Sequence, residues 1–382
     1  MNFFYMDEMG NFTTFLAWDK FNVVKTVPFD SRYMFFGSYS DGYLLQYDSS
    51  KPWVNTELGK NSSNPLLLAT ATPHIIRPSC VLVHPNNDLV LMSGGPGYGK
   101  TGGGLLIWSR KKYQATILNH TQLIENHATH SMVLHPNMTD VLIAGTTIAP
   151  GSGGQQLATL AQLYMLNLTS NQIMWKMAPL PGVAYYYELI VAPQTGYVYG
   201  MTDNDIFFVF NPNTMQVIHN KTVAHACVSQ GPHLFVPHVN GKEIYLTLST
   251  GIFRIEPYNF TLTMVFTSKY AMCGGVIMKS GWFYFISNSH VYGFQLFNGT
   301  NVNPVPSLSV QPPKPSPIPS RSITPKASVS LWKPQISSSV WNPTNNRTAV
   351  SLGVSIFERN IVGFCGVIVV LILMLCNLSI NI

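Results

Sequence analysis

The sequence predicts an all-β protein: a six- or seven-bladed β-propeller over residues 1–302, a Pro/Ser-rich stalk over 303–355 and a hydrophobic helix over 361–382. Two observations carry the propeller. Val81-Leu-Val-His-Pro-Asn-Asn-Asp-Leu-Val-Leu-Met-Ser93 is echoed by Met132-Val-Leu-His-Pro-Asn-Met-Thr-Asp-Val-Leu-Ile-Ala144. Each is an apolar triplet, a His-Pro-Asn turn, an acidic residue and a second apolar run. Each then crosses a Gly-rich loop into a third run, Leu105-Leu-Ile-Trp108 or Leu163-Tyr-Met-Leu166. Self-similarity at about 40–50 residues marks a propeller blade. The composition agrees: 10% charged and 12% aromatic residues with 29 Gly and 26 Pro favour turns and strands over helices.

In chain order, Phe12-Thr-Thr-Phe-Leu-Ala-Trp18 is a strand-like run with no blade of its own, expected to complete the last blade. The first blade centres on Tyr33-Met-Phe-Phe-Gly37 and Tyr43-Leu-Leu-Gln-Tyr47, with Asp41-Gly42 as the turn. The two His-Pro echoes are the second and third. The fourth is complete, from Leu189-Ile-Val-Ala-Pro193 through Tyr197-Val-Tyr199 and Ile206-Phe-Phe-Val-Phe210 to Met215-Gln-Val-Ile-His219. The fifth repeats it from Leu234 to Phe266. The sixth, Gly275 to Phe294, lacks an outer strand, which the N-terminus is expected to supply.

The fourth blade's Thr195-Gly-Tyr-Val-Tyr-Gly200 and Phe208-Val-Phe-Asn-Pro-Asn-Thr214 resemble the NHL, SMP-30 and YVTN-like propeller superfamily, over roughly residues 20–300. The resemblance implies architecture more than activity, since these folds host binders, lactonases, lyases and scaffolds. Asn211 stands where that superfamily usually has Asp, so no metal ligand is carried over.

From Pro304 to Ser320 the chain is Pro/Ser-rich and cannot build a core, as expected of an extended, O-glycosylated stalk. Ile361 to Cys376 is almost unbroken apolar sequence, and no Lys or Arg follows it. A polar spacer before an apolar tail resembles a GPI-attachment signal, with Asn345, Asn346, Ser351, Gly353 and Ser355 as candidate sites; a tail-end transmembrane helix is the other reading. The first residues, Met1-Asn-Phe-Phe-Tyr-Met-Asp-Glu, carry acid where a signal peptide is basic, so the expectation is a leader upstream of this start. Sequons at Asn11, Asn61, Asn119, Asn137, Asn167, Asn220, Asn259, Asn298 and Asn346, with a tenth at Asn377 in the tail, exceed the roughly four expected by chance and point to a glycosylated cell-surface ectodomain. Of the five Cys, Cys227 and Cys273 head the first strands of adjacent blades; a disulfide between them and two buried thiols both stay open.

The formal net charge of +6 is spread thinly, with no basic run longer than Arg110-Lys-Lys112, which argues against nucleic acid as a partner. Gly94-Gly-Pro-Gly-Tyr-Gly-Lys-Thr101 matches the P-loop expression, but a strand follows it where phosphate binding needs a helix, so no nucleotide is expected. That stretch and the 145–160 segment are instead long second-to-third-strand loops. Such loops share a face with the connections into each first strand, and those connections bring His74, Arg77, His127, His130, Tyr185, Tyr186, Glu188, His225 and Tyr270 to one mouth. Convergent polar and aromatic groups make the mouth the candidate binding site, and Tyr faces suit sugar rings. His127-Ala-Thr-His130 with Glu125 is too open a spacing to fix a metal. His84 and His135 belong to turns on the opposite face and are read as architectural, and Asn137, Asn167, Asn259 and Asn298 map to that same opposite face.

No catalytic residue, cofactor or metal is assigned. The leading expectation is a surface-anchored binding module for extracellular carbohydrate or protein, tethered to the membrane by its tail. The alternative is a carbohydrate-active lyase or SMP-30-like lactonase using His127, His130, Tyr186 and Glu188, with Arg77 as the carboxylate binder.

Overall fold

The computed structural model describes residues 32–54, 63–84, 88–226, 233–287 and 290–297, and the backbone of 2–6, 12–16, 22–28 and 357–358. The stalk, the apolar tail and the sequons at Asn11, Asn61, Asn298, Asn346 and Asn377 lie outside the described residues, as does Cys227. Two units emerge, residues 1–300 with 355–382 and residues 301–354; the described elements belong to the first.

The described residues are all-β. After a hairpin of β1 (Asn2–Met6) and β2 (Phe12–Leu16), six antiparallel sheets follow in sequence. The first is β3 (Asn22–Pro28), β4 (Tyr33–Tyr39), β5 (Tyr43–Asp48) and β6 (Leu66–Thr70). The second is β7 (Arg77–His84), β8 (Leu89–Gly95), β9 (Gly104–Ser109) and β10 (Gln114–Asn119). The third is β11 (Ala128–Leu134), β12 (Val141–Thr147), β13 (Leu163–Asn167) and β14 (Gln172–Met177). The fourth is β15 (Tyr186–Val191), β16 (Val198–Thr202), β17 (Ile206–Asn211) and β18 (Gln216–Thr222). The fifth is β19 (Phe235–Pro237), β20 (Ile244–Leu248), β21 (Gly251–Ile255) and β22 (Leu262–Thr267). The sixth is β23 (Gly275–Ile277), β24 (Trp282–Ser287), β25 (His290–Gln295) and β26 (Phe357–Glu358).

This order corrects one expectation. Phe12–Leu16 pairs with β1, and the outer place in the sixth sheet is taken by Phe357–Glu358. A short strand-like run specifies a strand but not its partner, and β1 is the strand just before it in the chain.

The sheets stack face to face. Each of five apolar clusters lies between consecutive sheets: Phe35 and Leu44 meet Val90 and Leu106; Leu105 and Ile107 meet Leu142 and Tyr164; Ile143 and Met165 meet Tyr186 and Phe208; Phe207 and Val209 meet Phe235 and Leu246; Tyr245 and Ile252 meet Phe283 and Phe294. Middle strands therefore bury both faces. In β17, Phe208 and Phe210 point to the third sheet while Phe207 and Val209 point to the fifth, as the two-residue period of a strand requires. This is why the middle strands read as continuous apolar runs, and β12 is buried at every residue. Outer strands alternate instead, as in β14 and β18, whose second faces meet water. The glycines on second strands allow the stacking to be close. A Cβ on Gly145 would lie 2.5 Å from the Tyr186 Cβ, and one on Gly37 2.7 Å from the Pro78 Cβ.

First strands are neighbours in order, β3 beside β7, then β11, β15, β19 and β23. Leu82, Leu134, Ile190 and Pro237, from four of them, line one apolar cavity of about 430 Å³. Consecutive four-stranded sheets whose first strands converge are compatible with a β-propeller. One His-Pro histidine ties two sheets, and the other orders its own turn. The His84 ring nitrogen reaches the Thr139 carbonyl of the next sheet's turn, and His135 Nδ1 accepts from the Asn137 and Met138 amides, both at 3.1 Å.

Candidate functional site

Antiparallel order puts second-to-third-strand loops and fourth-to-first-strand connections on one face, the mouth. Its two long loops, 96–103 and 148–162, are braided. The Gly99 amide donates to Ser152 O and the Gly151 amide to Lys100 O, each at 2.9 Å, and the Thr101 hydroxyl donates to Gln155 O. Within the P-loop-like stretch the amides of Gly97, Gly99 and Lys100 all go to carbonyls, and β9 follows. A phosphate cradle needs such amides free at a helix N-terminus. The loop is also stapled to the first sheet. The Arg77 guanidinium lies over the rings of Tyr39 at 5.4 Å and Tyr98 at 5.6 Å, and the two Tyr hydroxyls touch. Arg77 is thus held against two aromatic rings.

The residues that do come together are His130, Tyr185 and Tyr187. The His130 ring meets Tyr185 edge-on at 5.4 Å and Tyr187 at 6.4 Å, and the two Tyr rings are 5.7 Å apart. Bulges create this cluster. In β3, β7, β11 and β15 the register slips by one residue near the mouth, at Val24, Ser79, His130 and Tyr187. A bulge leaves its residue unpaired and re-aims the side chain. Asp203, in the short loop after β16, sits beside the cluster. Its Oδ1 accepts from the Ala184 and Tyr185 amides at 3.1 Å each, and Oδ2 has no partner among the described residues. Burial, then the Asp203 charge, raises the Tyr187 pKa, and the phenol stays neutral.

Several expected site residues have other work. Tyr186 faces the core, edge-to-face with Phe208 at 5.5 Å, because alternation sends it opposite to Tyr185; burial raises its pKa. Glu188 holds the head of the fifth sheet, accepting from the Leu234 amide, from Phe235 N at 3.3 Å and pairing with the His233 ring. Asp205 holds the same connection nearer its start, accepting from the Ala226 amide at 3.0 Å and meeting the His225 ring at 3.2 Å. His127 is buried, with its ring nitrogens against Glu125 O at 2.7 Å and Leu160 O at 2.9 Å, and so tethers the second long loop. Tyr270 stacks on Tyr292 at 4.4 Å between the fifth and sixth sheets. His74 lies half-buried in the β6–β7 connection, its amide donating to Ala71 O at 3.0 Å. Among the described residues no group of three or more His, Cys, Asp or Glu could hold a metal.

The opposite face carries the turns with Asn137, the Asn167 turn and Asn259, together with the apolar cavity. A second cavity of about 350 Å³ opens there between the fourth and fifth sheets, floored by Tyr199, Ile244 and Ile255 and rimmed by Lys242, Glu256 and Tyr258. Cys273, at the head of the sixth sheet, is disulfide-bonded, with its partner outside the described residues. No protein-family model matches the chain, and no curated protein matches it.

Proposed function

We propose that the six sheets close into a β-propeller and that the chain is a surface-anchored extracellular binding module whose mouth takes carbohydrate. The His130–Tyr185–Tyr187 cluster carries this reading. Partly buried aromatic rings at a loop-rich mouth offer a platform for the apolar face of a sugar. The spare Asp203 oxygen is an acceptor for hydroxyls beside it. The neighbouring carboxylates of Asp203, Asp205 and Glu188 favour neutral or amino sugars over acidic ones. That charge counts against the second reading, a lyase acting on an acidic sugar, as does Arg77's engagement with two Tyr rings. The disulfide at Cys273 suits an oxidising compartment. Membrane attachment rests on the apolar run after Ile361.

Titration of the full chain with neutral, amino-sugar and uronic-acid oligosaccharides tests the proposal. Saturable binding of the first two classes without turnover supports it; cleavage of a uronic-acid oligosaccharide sinks it in favour of the enzyme.

A further inference from the structure

The 350 Å³ cavity between the fourth and fifth sheets has an apolar floor, Tyr199, Ile244 and Ile255, and a polar rim, Lys242, Glu256 and Tyr258. That is the composition of a surface that takes a sugar ring: an apolar bed with hydrogen-bonding groups at its edge. Its volume suits one or two hexose-sized rings, at the small end of ordinary ligand sites, roughly 300–1,000 Å³. Tyr258 leaves 76% of its surface exposed.

The residue after Tyr258 is the sequon asparagine, Asn259. The turn that presents it is fixed at both ends. Phe260 N donates to Glu256 O at 2.9 Å, and Glu256 N to Thr261 O at 3.0 Å. The Phe260 ring packs on Tyr197 at 5.9 Å and His219 at 5.3 Å, pinning the turn across the fourth sheet. The Asn259 Oδ1 accepts from Thr261 N at 3.0 Å, which leaves the amide nitrogen, the atom that carries an N-linked sugar, turned away from the turn and exposed.

We propose that this cavity is the seat of the protein's own Asn259 glycan: its first N-acetylglucosamine packs on Tyr258 and enters the space between the fourth and fifth sheets. The glycan then acts as a wedge that stabilises this junction and keeps the cleft from other ligands. The inference rests on the extracellular reading only in requiring the sequon to be used; the sugar-binding mouth is not involved.

Glycopeptide mass spectrometry on the full chain first reads occupancy at Asn259. Thermal melting then compares the native glycoprotein, the protein trimmed to a single N-acetylglucosamine, and the protein stripped by an amidase. Stripping leaves an aspartate at position 259, still able to accept from Thr261. The expected results are occupancy, little change on trimming, and a Tm loss of about 2–4 °C on full removal. Tyr258→Ala lowers the Tm by a similar amount in the glycosylated protein and leaves the stripped protein unchanged. An unoccupied Asn259, or a Tyr258→Ala effect of equal size with and without the glycan, overturns the proposal. Because the mouth is untouched, oligosaccharide titration of the stripped protein reports separately on the proposed function.

Discussion

His130 of the third sheet and Tyr185 at the head of the fourth meet edge to face with ring centroids 5.4 Å apart. The contact joins two sheets at the mouth and exists because a bulge at His130 turns its ring toward the neighbour. Tyr187, the bulged residue of the next sheet, completes the cluster. Adjacent residues of one triplet thus do opposite things, which gives a sharp contrast. Tyr186→Ala removes a fully buried ring and costs about 3–5 kcal/mol of stability. Tyr187→Ala, which trims a partly buried ring at the edge of the core between the fourth and fifth sheets, costs less, about 1–2 kcal/mol, and weakens glycan binding at least tenfold, roughly 1.4 kcal/mol. Urea melts and titration on the same two variants separate the effects.

Glu188 holds amides, so its loss is structural. Glu188→Ala strands the Leu234 and Phe235 N–H groups at the head of the fifth sheet. The expected cost is about 1–3 kcal/mol, read as a lower urea midpoint. Hydrogen exchange at Leu234 and Phe235 rises while that of the second and third sheets holds.

Close sheet packing predicts a small-to-large penalty. Gly145→Ala would place its Cβ 2.5 Å from the Tyr186 Cβ, so the two sheets must part. The expected destabilisation is about 1–3 kcal/mol. Gly153→Ala, where no neighbour lies within 4 Å but φ is +79°, isolates the backbone part of a glycine effect.

Stability falls on acidification in two stages. Burial holds the pKa values of His120, His135 and His219 below the ordinary value. In the unfolded chain these rings take up protons near pH 6.5, roughly, which the folded chain resists. Their contribution is therefore complete above that pH and declines as pH falls through it. Asp48 acts at lower pH. Its hydrogen-bonded pairing with Arg32 holds its pKa well below the usual carboxylate range, so its contribution is present above about pH 3.9 and is lost as pH falls further. Urea midpoints across this range check both stages, and His135→Asn, which keeps a turn acceptor, reduces the upper slope.

Reduction tests the disulfide. Breaking the bond at Cys273 is expected to cost about 2–5 kcal/mol, seen as a lower melting temperature under thiol reductant.

The sheets were legible because their middle strands bury both faces, so Leu142-Ile-Ala144 and Phe207-Phe-Val-Phe210 stand out as apolar runs between turns. The His-Pro echo was legible because His84 and His135 stand at the same place in successive sheets, each at the end of a first strand. The equivalent left-handed turn residues were not. Tyr113, Asn171, Met215 and Phe260 occupy that conformation at the third-to-fourth-strand turns of four sheets, with no glycine to mark it. The site was half legible. Residue types brought His130 and Tyr185 to the mouth, but a bulge shifts register by one, so pattern alone exchanged Tyr186 for Tyr187. The contacts of Arg77 and Glu188 were not legible, for a related reason. Their partners, Tyr39 with Tyr98 and the Leu234 amide, are distant in sequence and are brought near only by sheet stacking.

The most direct test of the account is the affinity of the full chain for a neutral or amino-sugar oligosaccharide, measured by calorimetric titration of wild type and Tyr185→Ala. Saturable binding to wild type is expected, with at least a tenfold loss in the variant, roughly 1.4 kcal/mol, and an unchanged melting temperature. Equal affinity in the two proteins, or binding confined to uronic-acid oligosaccharides, would contradict it.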